Sequence, residues 1–445
     1  MDIRPVKRRR RKPVDLTRPN AKQHRPGAVN PRTPQNNINI KSRLGKNLST
    51  KRQNSRIKKV TGFIRRNYLT AGMLAFLSIL YLPASKLINT SEQYQELASQ
   101  SFSISAILNN ASYLPQKLLL ISAQTAGISG ALFVKVLMFI FAVLVVYLFY
   151  KACLQWFGKN TALITTLLFS SSSWMILSSQ SLVFNNIYLV FFPLVIYLHT
   201  QFSREKNSLK ILAGVLLFSI VLYSPGMVWP ILGIIALLPI FMHKIIAKYA
   251  TEHVWFSLIS TAVLVLPLFA VLVLRPNNFQ HILVGGGQTT LQSFAHNLQV
   301  SLEALFIRGV PDIGVWLIGT PIFNFIACLL FVFGLIHLFI NKKLGQHFNF
   351  MAISLAFSLL TIIFVGLPAL PLLIPLIYLT AGFGLKLLLG SWYAIFPSNP
   401  VARNLGLTLV IFIALLSSGY DIARYYVAWP KNNSQISVHG PEKIT

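Results

Sequence analysis

Acidic residues are scarce in this chain: ten Asp and Glu stand against 40 Lys and Arg in 445 residues. Hydropathy places Asp2, Asp15, Glu205 and Glu252 on one side of a membrane and Glu92, Glu96, Glu303, Asp312, Asp421 and Glu442 on the other, with none inside a span. Ion-coupled transporters bury carboxylates near the bilayer midplane to hold Na⁺ or H⁺, so this distribution argues against that class. No P-loop or GxGxxG follows a strand-like segment, which removes ATP-driven transport and dinucleotide chemistry built on those motifs. The two cysteines, Cys153 and Cys328, have neither metal nor disulfide spacing, and His281 and His296 lack the spacing of metal ligands.

Apolar sequence, by contrast, is abundant. The chain is 54% hydrophobic and 11% charged, with repeated runs long enough to cross about 30 Å of hydrocarbon. The net charge of +30 resides largely in a Pro-, Asn- and Gln-rich head, where 21 of the 40 Lys and Arg precede Tyr68. Such a segment cannot bury a core. Residues 1–66 are therefore expected to be a disordered basic cytoplasmic tail. Its "KRRRRK" run, Lys7 to Lys12, suits anionic lipid headgroups better than a specific nucleic acid, and helps to orient the first span. That span begins near Tyr68, lacks a clear cleavage site and is expected to be a retained signal anchor.

Windows of about 19 residues predict an all-α polytopic membrane protein of about 11 transmembrane helices. The spans lie near 68–88, 131–150, 161–179, 184–202, 209–223, 226–242, 254–274, 319–340, 349–366, 370–388 and 404–420. The fifth and sixth, separated by "SPG" at Ser224–Gly226, are equally consistent with one broken or re-entrant pair. With the N-terminus in the cytoplasm, the loops "KACLQWFGKN", "SREKNSLK", "HKIIAKYATEH", "NKKLGQH" and "SNPVARN" fall inside, and all carry Lys or Arg. Residues 89–130 and 275–320 become outer loops, 321–420 additional C-terminal helices, and 421–445 an outer tail. An inner (plasma) membrane location with the C-terminus outside follows from the same parity.

Outer carboxylates, a long outer loop and a membrane that can deliver a substrate sideways suit group transfer from a lipid carrier. A carboxylate beside an acceptor hydroxyl or amine takes its proton as the new bond forms, while a cation neutralises the departing phosphate. Glu92 and Glu96, in "NTSEQYQELASQ", are candidate bases, and share one face if that segment is helical. The alternative is an amphipathic helix on the outer leaflet with its acids in water. Lys117, Arg275 and Arg308 are outer cations that either serve the phosphate or are solvated surface charges. Lys135, about one turn inside the second span, either snorkels to headgroups or meets a lipid phosphate. "VGGGQTT", Val284–Thr290, is either a phosphate cradle or a flexible turn.

The succession of a signal anchor, "SEQYQELA", "LPQKLLLISAQTAGISGALFVKVLMF" and later spans resembles the GT-C membrane glycosyltransferases, nearest to the protein O-mannosyltransferases and the lipid A aminoarabinose transferase. Glu92, Tyr94, Pro115, Gly127 or Gly130, and Lys135 occupy the places of the family's first-loop pattern, and the likeness extends over residues 68 to 320. The resemblance implies a GT-C-like core over 67–320, a polyprenyl-phosphate sugar donor, Glu92 as base, and a divalent metal as the cofactor left open. Where relatives carry acids, this chain has Ser91, Asn185 and Asn186. A neutral amide is no base near pH 7. A catalytically degenerate scaffold or binding subunit of envelope assembly is therefore the first alternative, and a lipid carrier or flippase the second. Sugar, acceptor, stereochemistry and oligomeric state stay open.

Overall fold

The computed structural model describes Gly72 and residues 76–81, 111–125, 131–179, 184–204, 208–246, 251–285, 290–308, 320–341 and 344–428. The chain divides into residues 1–69 and 70–445, and every described residue belongs to the second unit. Among the described residues there is no strand. After a helical piece at 76–81 come α1 (Leu114–Thr125), α2 (Ala131–Phe157), α3 (Lys159–Ser170), α4 (Ser173–Ser178), α5 (Tyr188–Arg204), α6 (Ser208–Val221) and α7 (Val228–Ile246). They are followed by α8 (Thr251–Leu274), α9 (Asn278–Val284), α10 (Leu291–Phe306), α11 (Phe325–Ile340), α12 (Gly345–Val365), α13 (Leu373–Ile395) and α14 (Pro400–Ala423).

Among the described residues, four stretches are long and apolar enough to cross a membrane: Lys135–Phe157, Gly345–Val365, Leu367–Ile395 and Pro400–Ala428. This is the build of a multi-pass membrane protein. The outward faces agree with it. On α8, Ile259, Val263, Leu266 and Val273 recur at helical spacing and are 60–63% exposed, a stripe that water would penalise and lipid would not. The main core is formed by α2, α3, α5 and α13, with Phe149, Phe169, Tyr188, Phe191, Tyr378 and Phe383 fully enclosed.

Without acidic residues in their first turns, several helices start on uncharged caps. Asn324 accepts from the Ala327 N–H at the start of α11, and Asn399 accepts from Val401 and Ala402 ahead of α14, whose first residue is Pro400. Thr290 and Ser293 form a reciprocal capping box on α10. The ends of "VGGGQTT" thus have structural tasks: Gly285 closes α9 in the left-handed region at φ 72° and Thr290 opens α10. Residues 286–289 lie outside the described set.

The expected 161–179 span is two helices, broken at Ser171–Ser172, where serine hydroxyls hydrogen-bond the carbonyls of Leu167 and Phe169. "SPG" joins two separate helices, α6 and α7. Its Gly226 sits at φ 70°, and its N–H donates to the Ile282 carbonyl at 2.6 Å. The expected outer loop 275–320 contains the helices α9 and α10.

Helices α11 and α13 touch backbone to backbone. A Cβ added at Gly334 would lie 1.9 Å from the Thr380 carbonyl oxygen, and one at Gly384 would lie 2.1 Å from that of Leu330. Thr380 and Gly384 are four residues apart on α13, the small-residue pattern that lets membrane helices approach closely. Because the obstacles are main chain, Gly334→Ala must push the helices apart, at a cost of about 1–3 kcal/mol. The thermal midpoint in detergent should fall accordingly. Gly390→Ala on α13, which meets nothing within 4 Å, should leave it unchanged or slightly raised.

Candidate functional site

The end of the bundle where α1 begins is organised around Tyr113. Its backbone lies in the left-handed region, φ 58°, which is uncommon for a bulky residue and is held here by two contacts. The Tyr113 N–H donates to the Tyr223 carbonyl at 2.9 Å, and its hydroxyl donates to Asn185 Oδ1 and approaches the Tyr188 hydroxyl at 3.4 Å. Tyr188 in turn donates to the Pro225 carbonyl at 2.5 Å. Burial pushes the Tyr113 hydroxyl well above its usual pKa, so it stays a neutral donor. The start of α1 is thereby tied to the residues before α5 and to the α6–α7 turn.

Beside this anchor runs a cleft of about 70 Å³ between α1, α2 and the 3₁₀ turn Phe184–Ile187. Its walls include Leu120, Met138 and Phe141, with Gln116 and Asn186 as polar members. Asn186 is fixed by the Ser178 hydroxyl, which donates to its Oδ1 at 3.0 Å. Gln116 has no such partner: both its amide oxygen and its amide nitrogen are enclosed and make no hydrogen bond. A buried amide left unpaired costs about 1–3 kcal/mol, which a ligand bridging it would recover.

Two sequence-predicted cations lie on the helices that wall this cleft, close in sequence to lining residues but not among them. Lys117 follows Gln116 on α1, and burial lowers its pKa below the ordinary lysine value. Lys135 stands one turn before Met138 near the start of α2 and is half-buried. The other two cations stand on other elements. Arg275 is exposed just beyond α8, and Arg308 pairs with Glu303 at 3.3 Å on the surface. Hydrogen bonds from Gln299 and then Arg308 hold the Glu303 carboxyl below its ordinary pKa. An exposed pair of this kind contributes little stability. Glu92 and Glu96 lie outside the described residues. Asn185 and Asn186, where the resemblance expects acids, have their amide oxygens occupied by Tyr113 and Ser178. No group of three His, Cys, Asp or Glu gathers among the described residues.

Sequence reasoning missed a buried charge pair. Asp421 was expected in an outer tail, and no span was expected to contain a carboxylate. Instead α14 continues to Ala423, a π turn covers Arg424–Ala428, and Asp421 is 2% exposed inside an apolar stretch of membrane-crossing length. Asn324 Nδ2 donates to Asp421 Oδ2 at 2.7 Å and contacts Ser417 Oγ at 2.8 Å. Arg424 Nη1 stands 3.9 Å from Asp421 Oδ1, while Nη2 donates to the Pro321 carbonyl. Ser173 donates to the Asp421 carbonyl at 3.1 Å, and Ser171 to Ser418 at 2.7 Å. This network fastens the end of α14 to the α3–α4 break and to the start of α11. Its sequence signal was an Asp and an Arg three residues apart, beside an apolar run and opposite a serine cluster. The chain matches no protein-family model and no curated protein.

Proposed function

We propose that this multi-pass protein transfers a sugar from a polyprenyl-phosphate carrier to an acceptor on the extracytoplasmic face of an inner (plasma) membrane. Its N-terminus is cytoplasmic and its C-terminus outside. In that reaction Glu92 takes the proton of the acceptor O–H or N–H as the acceptor atom bonds to the anomeric carbon. The anomeric C–O bond breaks and polyprenyl phosphate leaves, with Lys117 or Lys135 neutralising it. The carrying observation is the α1–α2 cleft: apolar walls for an isoprenoid, an enclosed Gln116 amide without a partner, and a lysine on each flanking helix.

A second role, lipid binding without transfer, draws support from Asn185, a neutral amide already engaged by Tyr113. Binding and transfer separate the two. Purified protein in nanodiscs should retain polyprenyl phosphate, and Lys117→Met combined with Lys135→Met should weaken that retention by about 10- to 100-fold, as expected when two charge-assisted contacts are lost. Equal retention by parent and double variant would remove the cleft from consideration.

A further inference from the structure

A second polar notch lies away from this cleft, between the C-terminal turns of α2 and α5 and the first turn of α6. It encloses about 210 Å³, several times the roughly 30 Å³ that one water occupies in the liquid. Tyr147, Lys151 and Gln155 line it from α2, Thr200 and Gln201 from α5, and Lys210 from α6. Among the described residues, none that line it is acidic.

Three features give the notch an electrostatic preference. Lys151 is half-buried with its ammonium 5.3 Å from the centre of the Tyr147 ring, which holds the charge at the notch wall. Gln201 is 93% buried by its 7% exposure, and its amide oxygen has no hydrogen-bond partner. A half-turn of that amide would put a donor where the unpaired oxygen stands. Neither lysine complements a helix dipole: Lys151 stands six residues before the end of α2, outside its last turn, and Lys210 stands in the first turn of α6, where the dipole already favours an anion. Helix dipoles therefore account for neither lysine, whereas a bound anion is favoured by both lysines and by the start of α6.

We infer that this notch binds a phosphate-bearing anion, with Lys151 and Lys210 as charge partners and the Gln155 and Gln201 amides as donors. The inference is independent of sugar transfer. Two sources share this chemistry: the headgroup of an anionic phospholipid and free phosphate. The notch lies at the ends of apolar helices, where headgroups are found, and the chain's positive-inside pattern puts those ends on the cytoplasmic side, as basic pockets between membrane helices there commonly are.

The test uses the full-length protein in nanodiscs of zwitterionic lipid, with thermal unfolding and native mass spectrometry as readouts. One arm adds phosphatidylglycerol to the discs and the other adds inorganic phosphate to the buffer. A raised midpoint and lipid retained in the first arm identify a headgroup, and a raised midpoint only in the second identifies free phosphate. Lys151→Met with Lys210→Met should weaken binding by about 10- to 100-fold. Replacing both by Arg should preserve binding and so control for folding, since guanidinium also pairs with phosphate. The basic N-terminal tail also attracts anionic lipid, but that attraction is screened within about 10 Å at 0.1 M salt, so the comparison is made at raised salt. No response to either anion, or the same response in the Met double variant, would overturn the assignment.

Discussion

Replacing Asp421 by alanine should lower the stability of the folded protein by about 3–5 kcal/mol, among the largest effects of any single substitution in the described core. The change removes the carboxylate facing the buried Arg424 guanidinium and takes away the acceptor that Asn324 reaches at 2.7 Å. Most of the cost comes from the charge left behind in a dry interior, not from the strength of the original pair, whose nearest approach is 3.9 Å. The compensating change follows from the same physics. Asp421→Leu combined with Arg424→Met removes both charges and should recover most of the loss. Denaturant unfolding in detergent reads both variants. A cost below about 1 kcal/mol for Asp421→Ala would show that the pair does not hold α14 to its neighbours.

The second large effect concerns a residue outside the described set. Under the proposed transfer chemistry, Glu92→Gln should reduce sugar transfer by a factor of about 10² to 10⁴, because it removes the base while keeping the side chain's shape. Glu96→Gln, four residues on, is the matched control and should be less damaging, since Glu92 occupies the position the resemblance picks out. Protein abundance and unfolding midpoint should be unchanged in both. Parent-like rates in both variants would remove these carboxylates as the base.

Where the chain is long and apolar, its structure was legible from the sequence. The 404–420 window falls within Pro400–Ala423, and the 349–366 window within Gly345–Val365 except for its last residue, Gly366, because continuous hydropathy signals a helix enclosed by lipid or protein on all sides. Short and mixed segments were harder to recognise. Helix α10, with Gln292, Asn297 and Glu303 among its apolar residues, is too polar for a span window, so hydropathy alone reads it as loop. The break at Ser171–Ser172 escaped because serines are tolerated inside an apolar window, although their hydroxyls compete for the backbone. Asp421 and Arg424 each lower local hydropathy, so the last window ended at Tyr420. Only their burial beside Asn324 and Ser173 shows them to belong inside.

The candidate site divides in the same way. Lys117 and Lys135 were visible as cations near an outer surface, and they lie on the two helices that wall the α1–α2 cleft, close to its lining residues Gln116 and Met138 in the chain. Gln116 carried no sequence signal, because an amide next to a lysine on a short helix looks like ordinary surface until its surroundings are known. Arg275 and Arg308 were chosen on charge alone, and charge does not report direction. Tyr113 could not be singled out either, since its left-handed backbone depends on distant partners at Asn185 and Tyr223.

The central claim is tested most directly by transfer itself. The full-length protein is reconstituted in liposomes with radiolabelled polyprenyl-phosphate sugars and a panel of lipid and peptide acceptors, and labelled product is counted against protein-free vesicles. The account predicts that label passes from at least one donor to an acceptor at the face bearing the 89–130 loop, and that Glu92→Gln abolishes most of it. Retention of polyprenyl phosphate with no transfer from any donor in the panel would contradict it and leave lipid binding as the protein's activity.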